Sequence, residues 1–256
     1  MVLAHAPDAD WLLTLWEQGL QASRRQRDDA LLACAYAAAP PQALGQRQVA
    51  LLAAHAQWFG PALALRSACP ACQAELAWEV DSAALSQTLA QMPSGSAEPA
   101  LTHAGGRLHL RAPQADDIDR AVAAGPQAYA DALLAACVAS WRPEPATAPD
   151  AAPDTAPAPL PAPADWPADL RDAALARLEA LDPAASVSFA LDCPACGHAW
   201  DAPLDPGAAL WRKVQAAAER LLQEIDLLAR AYGWREADVL ALSPLRRAAY
   251  LQLVQA

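Results

Sequence analysis

Two Cys-Pro-Ala-Cys tetrapeptides, Cys69 to Cys72 and Cys193 to Cys196, constrain this chain more than any other feature. A C-x-x-C pair wraps a tight turn whose two sulfurs can reach one ion, and two such pairs complete a closed tetrahedral set of four thiolates. Each pair has a β-like approach and a tryptophan a few residues downstream, Trp78 or Trp200. Gly197 follows the second pair where a positive φ is favoured, and Gln73 stands in that place after the first. Both pairs on one ion would close a loop of about 120 residues, which costs on the order of 4 kcal/mol beyond a constant because loop entropy grows logarithmically. Structural zinc contributes about 10–16 kcal/mol in small fingers, so the metal outweighs the closure. The expectation is one structural zinc ion (Zn2+) per chain, bound by Cys69, Cys72, Cys193 and Cys196 as two halves of a split ribbon. His198 is a neighbour that could replace one thiolate.

Two other readings fit the cysteines less well. A redox dithiol also uses C-P-x-C, but it needs a helix starting at the motif to lower the thiol pKa. Here Pro203 and Asp205-Pro206 place the next helix well downstream. The plainer alternative is four unliganded buried thiols. Cys34 and Cys137 lie in alanine-rich helical runs and read as small core residues. No catalytic set accompanies the cysteines. His5, His55, His103 and His109 are scattered, with no H-E-x-x-H, no G-x-S-x-G and no phosphate-binding glycine loop. Asp116-Asp117-Ile118-Asp119 lacks the glycine turn and distal glutamate of a calcium loop and reads as a helix start. The chain is therefore expected to be no enzyme and to have no small-molecule substrate.

Composition narrows the partners. The 256 residues carry 29 acidic against 18 basic side chains, a net charge of −11, and Lys213 is the only lysine. Phosphate neutralisation needs clustered Lys and Arg, so the balance opposes nucleic acid as a partner. Asp8 and Asp10 interrupt any signal-peptide core. The longest apolar runs, such as residues 30–39, fall short of the roughly 20 residues of a membrane helix. The expected setting is soluble and cytoplasmic, where six cysteines are reduced and a metal is favoured over disulfides.

The pattern predicts a mainly α protein with a small β zinc ribbon: an N-terminal helical part, a split four-cysteine ribbon and a C-terminal helical unit. Residues 1–61 form the first part. Asp8 or Asp10 caps a helix with Trp11, Leu12, Leu15 and Trp16 on one face; further helices start near Ala30 and Gln46. Residues 62–91 hold the first half of the ribbon. An insertion, 92–142, contains a loop to residue 106, a strand at 107–111 and a helical region from Asp116 or Asp117 to Trp141. The proline- and alanine-rich stretch 143–165 reads as an extended linker. Residues 166–204 supply a short helix and the second half of the ribbon. Residues 205–256 begin with the cap Asp205-Pro206 and carry Leu210, Val214, Leu221, Ile225, Leu228 and Tyr232 up to Gly233.

The order of features resembles a family of baseplate proteins of contractile phage tails and related injection systems, grouped with a baseplate-hub protein of T-even phages. Four places carry the likeness: Trp58-Phe59-Gly60 before the first knuckle; Arg107 to Pro113 before Asp116-Asp117; Leu181-Asp182-Pro183 with Cys193 to Trp200; and Leu228 to Trp234 with Ser243 to Leu251. Arg111-Ala112-Pro113 departs from the R-L-P-T-like sequence of that family. The resemblance implies a non-enzymatic baseplate component or assembly factor made in the bacterial cytoplasm, incorporated in a phage-like particle or assisting its assembly. Its partners would be other baseplate or hub proteins. The residues crowding the last two short helices, Trp234, Leu245, Arg246, Arg247, Tyr250 and Leu251, are the docking candidates, since aromatic and arginine anchors dominate interfaces. The rival is a zinc-ribbon transcription adaptor binding DNA or protein, which Arg246 and Arg247 favour and the net charge opposes.

Overall fold

The computed structural model describes residues 8–36, 39–92, 101–103, 106–143 and 161–255. The fold is mainly α-helical and, among the described residues, has two two-stranded hairpins and one three-stranded sheet, all antiparallel. The N-terminal part is α1 (Ala9–Leu20), α2 (Arg24–Ala35) and α3 (Leu44–Phe59). Asp8, rather than Asp10, caps α1 by accepting the Trp11 amide at 2.8 Å. Helix α2 starts well before Ala30, because Ser23 and Gln26 form a reciprocal capping box. Its first turns are charged, so apolar periodicity did not reveal them. Helix α3 has an alanine at its N-cap, and its cap comes from afar: the Asp182 carboxylate accepts the Gly45 amide at 2.7 Å. A Cβ at Gly45 would stand 2.0 Å from the other Asp182 oxygen, so this contact requires glycine.

Strands β1 (Ala62–Ala68) and β2 (Glu75–Asp81) then pair along their length. Asp81 caps α4 (Ser82–Ala90), a helix the sequence reading did not anticipate within the first ribbon half. The insertion differs more from expectation. Strand β3 (Leu101–His103) lies inside the supposed loop, beside β4 (Gly106–Leu110). Helix α5 (Ala115–Ala123) is capped from Gln114 rather than by Asp116 or Asp117, with Asp117 closing the capping box. Helix α6 (Tyr129–Cys137) stops short of Trp141 because residues 138–143 become β5 (Val138–Pro143), paired with β4. Tertiary pairing overrode the helical pattern here: Trp141 lies opposite Leu108 and covers Gly106, where a Cβ would meet its ring at 2.3 Å. Asp117, 1% exposed, is held by Arg111 and Arg120.

Residues 144–160 of the expected linker lie outside the described residues. Its end is not extended: Pro163 to Asp165 form a 3-10 turn with Pro163 buried, and Trp166 donates to the Pro161 carbonyl at 2.9 Å. Helix α7 (Ala168–Leu181) leads to β6 (Ser188–Asp192) and β7 (Ala199–Pro203). Asp205 caps α8 (Pro206–Tyr232), which Gly233 ends in the left-handed region at φ 68°. Helices α9 (Glu236–Leu240) and α10 (Pro244–Gln255) follow. Helix α8 is the spine. Leu210, Trp211 and Val214 share a core with α1–α3, while Leu221, Ile225 and Leu228 pack with α9 and α10.

The element order repeats. Helices α1, α2, α3, hairpin β1–β2 and α4 are matched by α5, α6, α7, hairpin β6–β7 and α8, with β5 inserted after α6. The residues repeat too: Ala6-Pro7-x-Ala9-Asp10 matches Ala112-Pro113-x-Ala115-Asp116, Gly19-x-Gln21-Ala22 matches Gly125-x-Gln127-Ala128, and Asp29-Ala30-Leu31-Leu32-Ala33 matches Asp131-Ala132-Leu133-Leu134-Ala135. The displacement that carries Cys69 to Cys193 also carries Arg47 to Arg171 and Asp81 to Asp205. Matched residues do matched work. Arg47 pairs with Asp29 and Arg171 with Asp131, both at 2.6 Å, and each copy caps its last helix with the matched aspartate, Asp81 or Asp205. Elements α1–α4 with β1–β2, and α5–α8 with β6–β7, are two copies of one helix–hairpin–helix module, to which β3–β5, α9 and α10 are added.

Candidate metal centre

Each cysteine pair sits in the turn of one hairpin, and the two turns are built alike. The Cys69 amide donates to the Ala74 carbonyl and the Gln73 amide to the Cys69 carbonyl, at 2.9 and 2.8 Å. The second turn repeats this, Cys193 to His198 at 2.9 Å and Gly197 to Cys193 at 2.8 Å. Both turns need a left-handed residue after the second cysteine; Gly197 has φ 72° and Gln73 has φ 62°. The first cysteine of each pair is buried, Cys69 at 0% and Cys193 at 3% exposure, and the second is exposed.

The hairpins meet tip to tip, and all four sulfurs lie within 4.8 Å of one another. Contacts cross between copies: Cys69 Sγ is 3.7 Å from Cys196 Sγ, and Cys72 Sγ is 3.5 Å from Cys193 Sγ. A tetrahedron with metal–sulfur bonds of about 2.3 Å has edges of about 3.8 Å, so the sulfurs are spaced for one ion. Trp78 meets Phe189 edge-on at 5.8 Å, and Trp200 Nε1 donates to Ser67 Oγ at 3.4 Å, holding the hairpins together.

The sulfurs also perturb one another electrostatically. Burial disfavours the Cys193 thiolate, yet the amides of Cys196 and Ala195 pull its pKa down to about 7. The His198 amide favours the Cys196 thiolate, but the crowded sulfurs Cys72, Cys193 and Cys69, with burial, push it up to about 12. Neighbouring sulfurs thus oppose a further thiolate beside Cys193, and a cation shared among them would relieve that opposition. No helix begins at either motif, so a helix terminus is not what lowers the Cys193 thiol, unlike the arrangement expected of a redox dithiol. The four sulfurs converge on one place, where they could hold an ion. Among the described residues, the cluster comprises the four cysteines and not His198, whose ring lies against Trp200 at 6.4 Å.

The docking candidates are elsewhere. Helix α8, 27 residues long, spans about 40 Å from the hairpins to the C-terminal unit. There Trp234 stacks on Tyr232 at 4.8 Å and meets Tyr250 edge-on at 4.9 Å. Trp234, Tyr250 and Leu251 pack on the α8–α9 core, and Arg247 pairs with Glu224 at 2.8 Å. Leu245 is 83% and Leu253 68% exposed, and Arg246 is exposed beside them. Among the described residues, no helix is long and apolar enough to cross a membrane. Comparison with family models, curated proteins and solved structures finds no match to this chain.

Proposed function

We propose that this chain is a non-enzymatic component or assembly factor of the baseplate of a contractile phage tail or related injection system, made in the cytoplasm and built on one structural zinc. A closed set of four thiolates from two C-x-x-C turns suits zinc, and it leaves no open coordination position for chemistry. The zinc clamps the two module copies at one end of α8 and leaves the other end to bind baseplate or hub proteins. The observation that carries this reading is the placement of the baseplate-like run. Residues 228–234 and 243–251 fold as one aromatic-braced end with Leu245 and Arg246 outward, and Leu253 is outward just beyond the run.

Co-expression with the hub, tube and spike proteins of such a particle tests it. The wild type should co-purify with at least one of them. Leu245→Glu with Leu253→Glu should lose the partner and keep one zinc per chain, because both side chains are exposed. Failure of the wild type to bind any of these proteins refutes the baseplate reading.

A further inference from the structure

Across the two knuckles, each exposed cysteine lies against a buried one of the opposite turn. Cys196 is exposed, and its Sγ is 3.7 Å from that of buried Cys69. Cys72 is exposed, and its Sγ is 3.5 Å from that of buried Cys193. An oxidant arriving from solvent therefore meets Cys72 and Cys196 first, and each has a shielded sulfur of the other copy within reach. A disulfide holds its sulfurs about 2.05 Å apart, so each crossed pair must close by about 1.5 Å. Contacts that involve no sulfur keep the tips together meanwhile, Trp78 on Phe189 and Trp200 on Ser67.

We propose that Cys72 and Cys196 are the sites at which a peroxide oxidises this protein, and that the products are two disulfides joining the copies, Cys69–Cys196 and Cys72–Cys193. The Cys196 thiolate attacks one oxygen of hydrogen peroxide; the O–O bond breaks, and the departing hydroxide takes a proton from solvent to become water. Cys196 then carries a sulfenic acid. The Cys69 thiolate attacks that sulfur, the S–O bond breaks, and the second hydroxide takes another proton. Each disulfide consumes one peroxide and two protons and yields two waters, each sulfur giving up one electron. Cys72 and Cys193 repeat the step.

Disulfide sulfurs are no longer thiolates, so the four cysteines release their ion as Zn2+. The metal clasp between the copies becomes a covalent one, in a single stoichiometric event rather than the turnover of a redox dithiol. Pairing an exposed sulfur with a buried one excludes Cys69–Cys193 and Cys72–Cys196. Between crossed pairs and pairs within one turn, the contacts at 3.5 and 3.7 Å favour the crossed ones. The proposal rests on the shared zinc site and not on the baseplate reading.

The test oxidises full-length, zinc-loaded protein with about two equivalents of hydrogen peroxide per chain and reads zinc release with a chromogenic chelator. Remaining thiols are blocked with iodoacetamide, and the disulfides are mapped by peptide mass spectrometry with fragmentation. Release of the zinc is expected, with Cys69 joined to Cys196, Cys72 joined to Cys193, and Cys34 and Cys137 still free. Disulfides within the motifs, Cys69–Cys72 and Cys193–Cys196, overturn the proposal. Four cysteines still reduced after about ten equivalents of peroxide overturn it too. Metal analysis of the untreated protein comes first, so the two readings fail separately: no zinc there refutes the zinc site, whereas zinc followed by the wrong products refutes this proposal alone.

Discussion

Exchanging Gln73 and Gly197 tests whether the two knuckles are equivalent halves of one site. Both hold left-handed backbone, at φ 62° and 72°, but only one is glycine. That conformation costs a residue with a Cβ roughly 1–2 kcal/mol. The Gln73 side chain returns little, since its Nε2 is 3.4 Å from the Pro70 carbonyl, long for a hydrogen bond. Glycine's greater freedom in the unfolded chain takes back about 0.5–1 kcal/mol. Gln73→Gly should therefore stabilise by about 0.5–1 kcal/mol, and Gly197→Gln should cost a similar amount. A Cβ at Gly197 meets nothing within 4 Å, so that cost is backbone strain without a clash. The double exchange should return within about 0.5 kcal/mol of the wild type. Urea unfolding at saturating zinc measures this as a shift of midpoint at constant slope. A destabilised Gln73→Gly protein, or a Gly197→Gln protein with no loss, would refute the reasoning.

The metal comes next: analysis should find one zinc per chain, and Cys69→Ser and Cys193→Ser should each weaken the same unfolding transition. Two ions per chain, or full affinity after Cys69→Ser with Cys72→Ser, would disprove a shared site. Burial, reinforced by the charge of Asp205, pushes the Asp28 carboxyl up to about 6, against about 3.9 in an unfolded chain. The folded protein thus keeps a proton that the unfolded chain releases, so this contribution to stability is full below about pH 4 and is lost as pH rises through about 6. Asp28→Asn should gain about 1 kcal/mol at pH 7, discounted for partial exposure, and nothing at pH 4; equal effects at both pH values would contradict this. Finally, the protein should not shift duplex DNA at ~150 mM salt. Micromolar binding with a steep salt slope, weakened by Arg246→Ala with Arg247→Ala, would instead favour the transcription adaptor.

Local chemistry by itself determined the parts of this protein that need few neighbours. The C-x-x-C spacing picked out the four cysteines that cluster, because two sulfurs three residues apart must share a turn. Asp205, Pro206 and Gly233 marked both ends of α8, because caps and left-handed glycines act within one helical turn. Tertiary structure decided the rest. Residues 138–143 became a strand because β4 offered a ladder edge, which no local pattern announces. Asp182 caps α3 from 137 positions along the chain, a contact that only folding creates. Gln73 adopts a glycine's conformation because closing the turn around its carbonyl and amide bonds outweighs a modest strain. The internal repeat was present in the residues all along, in the doubled Asp-Ala-Leu-Leu-Ala and the matched arginines. It became legible once the helices and hairpins lay in register, because small alanine-rich cores tolerate so much exchange that few identities survive. Which cysteine of each pair is buried, and that the opening half of α8 lies against α1–α3, were settled by packing.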